Sequence, residues 1–224
     1  MDRALIVMAK EPSAGGTKTR LCPPLSGQQA AELYRYFLLD TLELMKQVEG
    51  VQTIIAYLPP DAEPFFRRFA PPGFDFVPQV GADLGERLDN VLTHCLQSGY
   101  RQAVVMDSDS PTLPVTYLRQ AFRELDDPAV DGVLGPCDDG GYYLIGLKSP
   151  CPALFRGIVM STATVVAETL ERARQQGQRV ACLPGWYDVD TSEDLARLIE
   201  ELCPQTDHPA QHTRAFLSEA MGYF

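Results

Sequence analysis

Four stretches of this chain carry charged residues at spacings suited to phosphate and metal chemistry. The first is "KEPSAGGTKTRL", Lys10 to Leu21, directly behind the apolar run "ALIVMA", Ala4 to Ala9. Pro12, Gly15 and Gly16 stop a strand and permit tight turns. Lys10, Lys18 and Arg20 bring cations to the same loop, and Lys18 and Arg20 offer phosphate oxygens one point charge and one planar fork. The G-x-x-x-x-G-K-[ST] spacing of a P-loop is absent. The plain alternative is a solvated surface loop.

The second stretch, "MDSDSPTLP", follows the apolar run "QAVVM". In extended chain Asp107 and Asp109 point the same way. Two anions that close repel unless a cation sits between them. Mg²⁺ or Mn²⁺, held by one or two carboxylates together with ligand phosphates and water, is the usual solution. The alternative is an Asx-type turn capping the following helix. The third stretch is "GPCDDGGYYLIGL". Asp139-Gly140 between two apolar runs signals a hairpin, and Asp139, Gly140, Gly141 and Tyr142 together would let a sugar or acceptor approach the main chain. The fourth, "WYDVDTSEDL", repeats the i, i+2 spacing in Asp188 and Asp190. Thr191 with Asp194 matches a helix capping box, which leaves Asp190 unexplained and available as a second metal ligand.

His94, His208 and His212 are the only histidines, and none lies in these loops, so Ser-His-Asp and Cys-His mechanisms lack a base. His208 and His212 have zinc-like spacing without further partners. The six cysteines stand singly, with no C-x-x-C pair and no zinc pattern, as in a chain whose thiols stay reduced. Trp186 and Tyr187 read as core residues.

The elements that must position these loops alternate in type. Strands are expected at residues 4–9, 52–58, 74–79, 102–107, 131–137, 142–147 and 179–183. Helices are expected at 28–48, 61–69, 83–96, 115–125, 162–176 and 193–202. In the helix over 83–96, Leu84, Leu88, Val91, Leu92 and Cys95 are expected to face inward. The strand over 102–107 should lie in the middle of the sheet. Strands alternating with helices imply a mostly parallel sheet covered on both faces, a three-layer α/β sandwich. Such sheets bind ligands beyond the carboxyl ends of their strands, where these four loops fall. Residues 1–202 read as a single domain and 203–224 as a tail with one weak helix.

At 224 residues the chain is long enough to bury a sizeable core without staples. Its formal charge of −11, from 30 acids against 19 Lys plus Arg, argues against nucleic acid or an anionic membrane as partner. Residues 1–20 are nonetheless net positive, with Arg3, Lys10, Lys18 and Arg20 against Asp2 and Glu11. That local charge suits a small phosphorylated ligand. No segment is apolar enough for a signal core or membrane span, so a cytoplasmic location is expected.

Taken in order, "KEPSAGGTKTRL", "DLGERL", "DSDSP", "GPCDDGGYYLIGL", "MST" before a helix and "DVDTSEDL" resemble a bacterial family. Its members are provisionally classed as nucleotide-diphospho-sugar transferases of GT-A type, often as arsenosugar-biosynthesis-type glycosyltransferases. The resemblance covers roughly residues 4–200, with a fold similar to molybdenum cofactor guanylyltransferase and phospholactate guanylyltransferase. It implies a nucleotide-diphospho-sugar transferase fold, a divalent metal, and phosphates gripped by the first loop. By position it implies phosphate contacts from Lys18 and Arg20, metal ligation by Asp109 and Asp190, and Gly85 and Arg87 near the nucleotide. The family pattern has glycine where this chain has Asp107, and tryptophan where it has Met160. Two activities stay open: glycosyl transfer from a nucleotide sugar to a small acceptor, or nucleotidyl transfer from an NTP with release of pyrophosphate. A nucleotide-binding protein without catalysis is the third reading. Base, sugar, acceptor and oligomeric state are left open by the sequence.

Overall fold

The computed structural model describes residues 1–160, 162–203, 209–219 and 221–222. Seven strands and seven helices alternate along the described chain: β1 (Arg3–Lys10), α1 (Gly27–Lys46), β2 (Gln52–Leu58), α2 (Glu63–Phe69), β3 (Phe74–Pro78), α3 (Leu84–Gln97) and β4 (Gln102–Met106). They continue with α4 (Val115–Asp126), β5 (Gly132–Pro136), β6 (Tyr142–Leu147), α5 (Val165–Gln175), β7 (Val180–Cys182), α6 (Ser192–Leu202) and α7 (Gln211–Glu219). The strands form one sheet in the order β3-β2-β1-β4-β6-β5-β7, with β4 at its centre. Only β6 runs against its neighbours, because the short turn after β5 reverses the chain within a few residues, where a parallel return would need a crossover.

This order decides where the loops meet. From β1 the chain steps outward to β2 and β3, then returns to the other side of β1 as β4. The carboxyl ends of β1 and β4 therefore flank a topological switch point. Since β5 and β7 run parallel to β4, the β5–β6 turn and the segment after β7 open onto the same edge.

Strand alternation divides the core between the two faces. Leu5, Val7 and Ala9 pack with α1, α4, α6 and α7, whereas Ala4 and Ile6 pack with α3 and α5. Helix ends follow local chemistry. Ser26 and Gln29 form a capping box on α1, and Thr191 and Asp194 form the expected one on α6. In α3 Leu88, Val91, Leu92 and Cys95 are buried, but Leu84 is not. Placed just after the Asp83 cap, Leu84 overhangs the sheet edge and lines the cleft described below.

Within the segment expected as a tail, α7 is packed firmly on the core, with Thr213, Phe216 and Leu217 buried. Its first turn is capped from another helix: the buried Asp40 of α1 accepts from the backbone N–H groups of His212 (2.9 Å) and Thr213 (2.8 Å). His212 also pairs with Glu43 at 2.9 Å, while His208 lies outside the described residues. Burial pushes the Asp40 carboxyl up to about 6, although both N–H donors favour its anion. The folded protein thus holds this proton more tightly than the unfolded chain. The group's contribution to stability should fall by about 2 kcal/mol as pH rises from about 4 to about 6. Asp40→Ala should remove that slope from the urea stability profile and, by leaving two N–H groups unsatisfied, cost about 2–4 kcal/mol. An unchanged slope would show that Asp40 titrates normally.

Candidate functional site at the carboxyl edge

The loop after β1 turns on Gly15, which has φ +72°, and closes through Gly16 and Thr17 N–H bonds to the Ser13 carbonyl. Lys10 Nζ donates to the Gly16 carbonyl at 2.8 Å, tying strand end to loop. Lys18 then adopts a left-handed conformation, φ 49° and ψ 38°, ahead of the short 3₁₀ turn Thr19–Leu21. That region is sparsely used by residues with a side chain, and such strain gathers at functional sites.

The Lys18 side chain is 5% exposed. Its Nζ lies 3.0 Å from Asp109 Oδ1 and 2.7 Å from Asp190 Oδ1. Arg20 reaches the other oxygen of Asp190 at 3.2 Å. Burial works to lower the Lys18 pKa, but the charges of Asp109 and then Asp190 outweigh it and hold the ammonium above the ordinary lysine range. The two acids shift in opposite directions. Partial burial pushes Asp109 up against the pull of Lys18, while Asp190, also half-buried, is held down by Lys18 and Arg20 together. Deeper burial and the neighbouring charge of Asp190 act on Asp109, while Arg20 adds a second cation to Asp190 alone.

Asp109 is fixed by its backbone carbonyl, which accepts from Val189 N–H at 2.9 Å and so ties the β4 loop to the segment before α6. Between the two acids of "DSD", the Ser108 hydroxyl donates to the Met8 carbonyl and meets Tyr34 Oη at 2.9 Å. Tyr34 Oη also accepts from Lys10 N–H, so α1, β1 and β4 are bonded together beneath the ion pair.

Two adjoining cavities open here. One of about 230 Å³ is lined by the cationic loop, including Lys10, Gly16, Lys18 and Arg20, with Asp109 and Asp190 at its side. The other, about 390 Å³, shares Arg20, Asp109 and Asp190 and adds Asp107, Asp139, Asp188 and the apolar Tyr142 and Met160. Asp107 Oδ2 accepts from Ser110, but its Oδ1 is buried without a hydrogen-bond partner. Burial, then the charges of Asp109 and Asp188, push the Asp107 carboxyl well up. Asp188 is raised to about 6, by burial and then by Asp190 and Asp139. The Cys137 thiol is pushed up by burial and by Asp107, Asp188 and Asp139. Carboxyl groups converging beside the unpartnered Asp107 oxygen supply the oxygen donors that suit Mg²⁺ or Mn²⁺.

Lys10, Gly16, Lys18, Arg20, Asp107, Asp109, Asp139, Gly141, Tyr142 and Asp190 all line this paired cleft. Gly15, Gly85, Arg87 and Gly140 line neither cavity. Gly85 is instead a packing position, where a Cβ would lie 2.6 Å from the Phe155 carbonyl oxygen. Gly140 holds the β5–β6 turn, with φ +91°, and a Cβ there would overlap the Ala163 carbonyl. Gly140→Ala should therefore cost about 3 kcal/mol or more in thermal unfolding and displace Asp139 and Gly141. A variant as stable as the parent would deny that close approach. Of the "MST" stretch, Ser161 lies outside the described residues.

Asp188 and Cys137 enter the site beyond the set chosen from sequence. The i, i+2 repeat in "DVD" signals Asp188, whereas nothing local singles out Cys137. Trp186 and Tyr187 pack against each other and α4, and Tyr187 donates to Glu201.

The fold matches solved structures along most of its length. A protein of Desulfovibrio desulfuricans G20, provisionally named a nucleotide-diphospho-sugar transferase, is 33% identical, with 99% of this chain and 98% of that chain covered at a TM-score of 0.88. CMP:2-keto-3-deoxy-manno-octonic acid synthetase complexed with CTP shares 14% identity over 91% of this chain and 99% of the other, with a TM-score of 0.58. Rv0371c of Mycobacterium tuberculosis H37Rv, in its complex with manganese, shares 19% over 89% and 98%, with a TM-score of 0.53. The last two likenesses show the fold alone. No curated protein sequence matches the chain. Residues 41–162 match the family model DUF2064, described as "Uncharacterized protein conserved in bacteria". With that match over more than half its length and a relative one-third identical along nearly all of it, this chain belongs to the DUF2064 family.

Proposed function

We propose that this protein is a divalent-metal-dependent nucleotide-diphospho-sugar transferase, moving a sugar from a nucleotide sugar to a small acceptor. One observation carries the reading. Lys18 Nζ, buried and strained into place, joins a cationic loop to Asp109 and Asp190 where two cavities meet. A diphosphate fits beside Lys10, Lys18 and Arg20, and Mg²⁺ or Mn²⁺ would be held by Asp109 and Asp190, with Asp107 as the further candidate. The ion would offset charge on the leaving diphosphate. For both carboxylates to serve it, Lys18 Nζ must leave at least one of them, and the incoming phosphate offers it a new anion. Asp139, Gly141 and Tyr142 line the acidic cavity, and an acceptor would approach them there, with Gly140 holding the turn that carries them. Cytoplasmic residence belongs to the same proposal: the cysteines are free, and no helix among the described residues is long and apolar enough to cross a membrane.

Nucleotidyl transfer is the second reading, favoured by the density of cations around the first cavity. A triphosphate would bring more negative charge to Lys18 and Arg20. Incubation with NTPs, Mg²⁺ and sugar phosphates, scored for pyrophosphate, separates the two. Glycosyl transfer is expected to give slow, metal-dependent hydrolysis of a nucleotide sugar without acceptor, and no pyrophosphate. Pyrophosphate release from an NTP would establish the second reading. Metal-dependent nucleotide binding with neither product would leave a non-catalytic binding protein. Arsenosugar precursors belong among the acceptors tried, because the sequence resemblance points to them.

A further inference from the structure

Three donor atoms meet on the acidic cavity away from Lys18. Cys137 and Asp139 come from the β5–β6 turn and Asp188 from the segment before α6, and one ligand atom of each lies within 4.8 Å of the others. Cys137 is 8% exposed, so its sulfur is presented from within the protein. The buried, unpartnered Oδ1 of Asp107 belongs to the same cavity wall, and the charge of Asp107 is felt by both Cys137 and Asp188. Lys18 does not line this cavity, and its ion pairs go to Asp109 and Asp190. Among the described residues Arg20 is the one Lys or Arg that lines this cavity, and its ion pair goes to Asp190, so Asp107, Asp139, Asp188 and the Cys137 thiol face one space without a salt bridge to a cation of the protein.

A thiolate among carboxylates is not a magnesium donor set. Mg²⁺ demands oxygen in near-octahedral array, whereas sulfur selects zinc-like ions. We propose that Cys137, Asp139 and Asp188 form a second divalent-cation site, selective for Zn²⁺-like ions over Mg²⁺, with a fourth position open to the cavity. Ligand atoms around a tetrahedral zinc stand roughly 3.5 Å apart, so the cluster need close by no more than about 1 Å. Asp139, exposed on a turn, is the side chain placed to make that movement, with its Oδ1 accepting from Gly141 N–H at 2.8 Å and so leaving Oδ2 for the ion. On binding, the S–H bond breaks, a sulfur–metal bond forms, and the proton passes to solvent. No electron changes hands.

The site shares Asp139 and its cavity with the transferase reading but does not depend on it, because its test needs no nucleotide. Metal-free protein is titrated with Co²⁺ and followed for the near-ultraviolet sulfur-to-cobalt charge-transfer band. The parent should show the band, Zn²⁺ should remove it, and excess Mg²⁺ should leave it. Cys137→Ser should abolish it, whereas Cys182→Ser and Cys203→Ser, at exposed thiols, should retain it. Asp139→Asn, a change at an exposed side chain, should weaken Co²⁺ binding at least about tenfold, which keeps the test decisive if Cys137→Ser folds poorly. No band in the parent, a band surviving Cys137→Ser, removal by Mg²⁺, or unchanged affinity in Asp139→Asn would each overturn the assignment.

Discussion

Asp109→Asn is expected to lower metal-dependent turnover by at least about a hundredfold, the scale of losing one preorganised electrostatic contact to a developing charge. The fold should survive. The Asp109 backbone carbonyl keeps its bond from Val189 whatever the side chain, and an amide oxygen can still accept from Lys18. One carboxylate on Lys18 is lost, but Asp190 remains, and a third of the Asp109 side chain is accessible to water. That limits the cost to about 1 kcal/mol and the fall in Tm to about 2–4 °C. Turnover retained in Asp109→Asn would reduce the carboxylate to a turn former.

Lys18→Ala should raise the Kd for a nucleotide or nucleotide sugar by about a hundredfold, because the side chain supplies a buried, charge-assisted contact to phosphate. Here stability also changes. Breaking a fully buried ion pair costs about 3–5 kcal/mol. Asp109 and Asp190 are each about a third exposed and Arg20 stays on Asp190, so about 2 kcal/mol is a fairer figure. Relief of the left-handed backbone does not offset this, since alanine is strained there too. Calorimetric affinity and Tm measured together decide the matter. A fall of about 4–8 °C with unaltered affinity would make Lys18 a strut and nothing more.

Much of this arrangement was legible because it is written locally. The boundaries of β2 follow from an apolar run closed by Pro59-Pro60, and the α6 cap from Thr191 and Asp194. The meeting of Lys18 with Asp109 was anticipated from the rule that parallel sheets bind at their carboxyl edge, which needs only the order of strand types. What depended on strand order across the sheet was not legible. The recruitment of Cys137 to the wall that holds Asp188 depends on β5 pairing with both β6 and β7. The docking of α7 is hidden from the sequence for a similar reason. Its cap is Asp40 on another helix, and no capping residue stands before Gln211 to announce it. Gly85 has a second reason to be glycine that the sequence does not display: the Phe155 carbonyl approaches it closely.

The claim at the centre is that cations after β1 and acids after β4 and β7 jointly hold a metal-bridged diphosphate. Calorimetric titration with pyrophosphate, with and without Mn²⁺, tests it most directly because no base or sugar need be known. The expected result is binding that requires Mn²⁺ and is lost in Lys18→Ala. Binding of equal strength without metal, or unaffected by removal of Lys18, would contradict it.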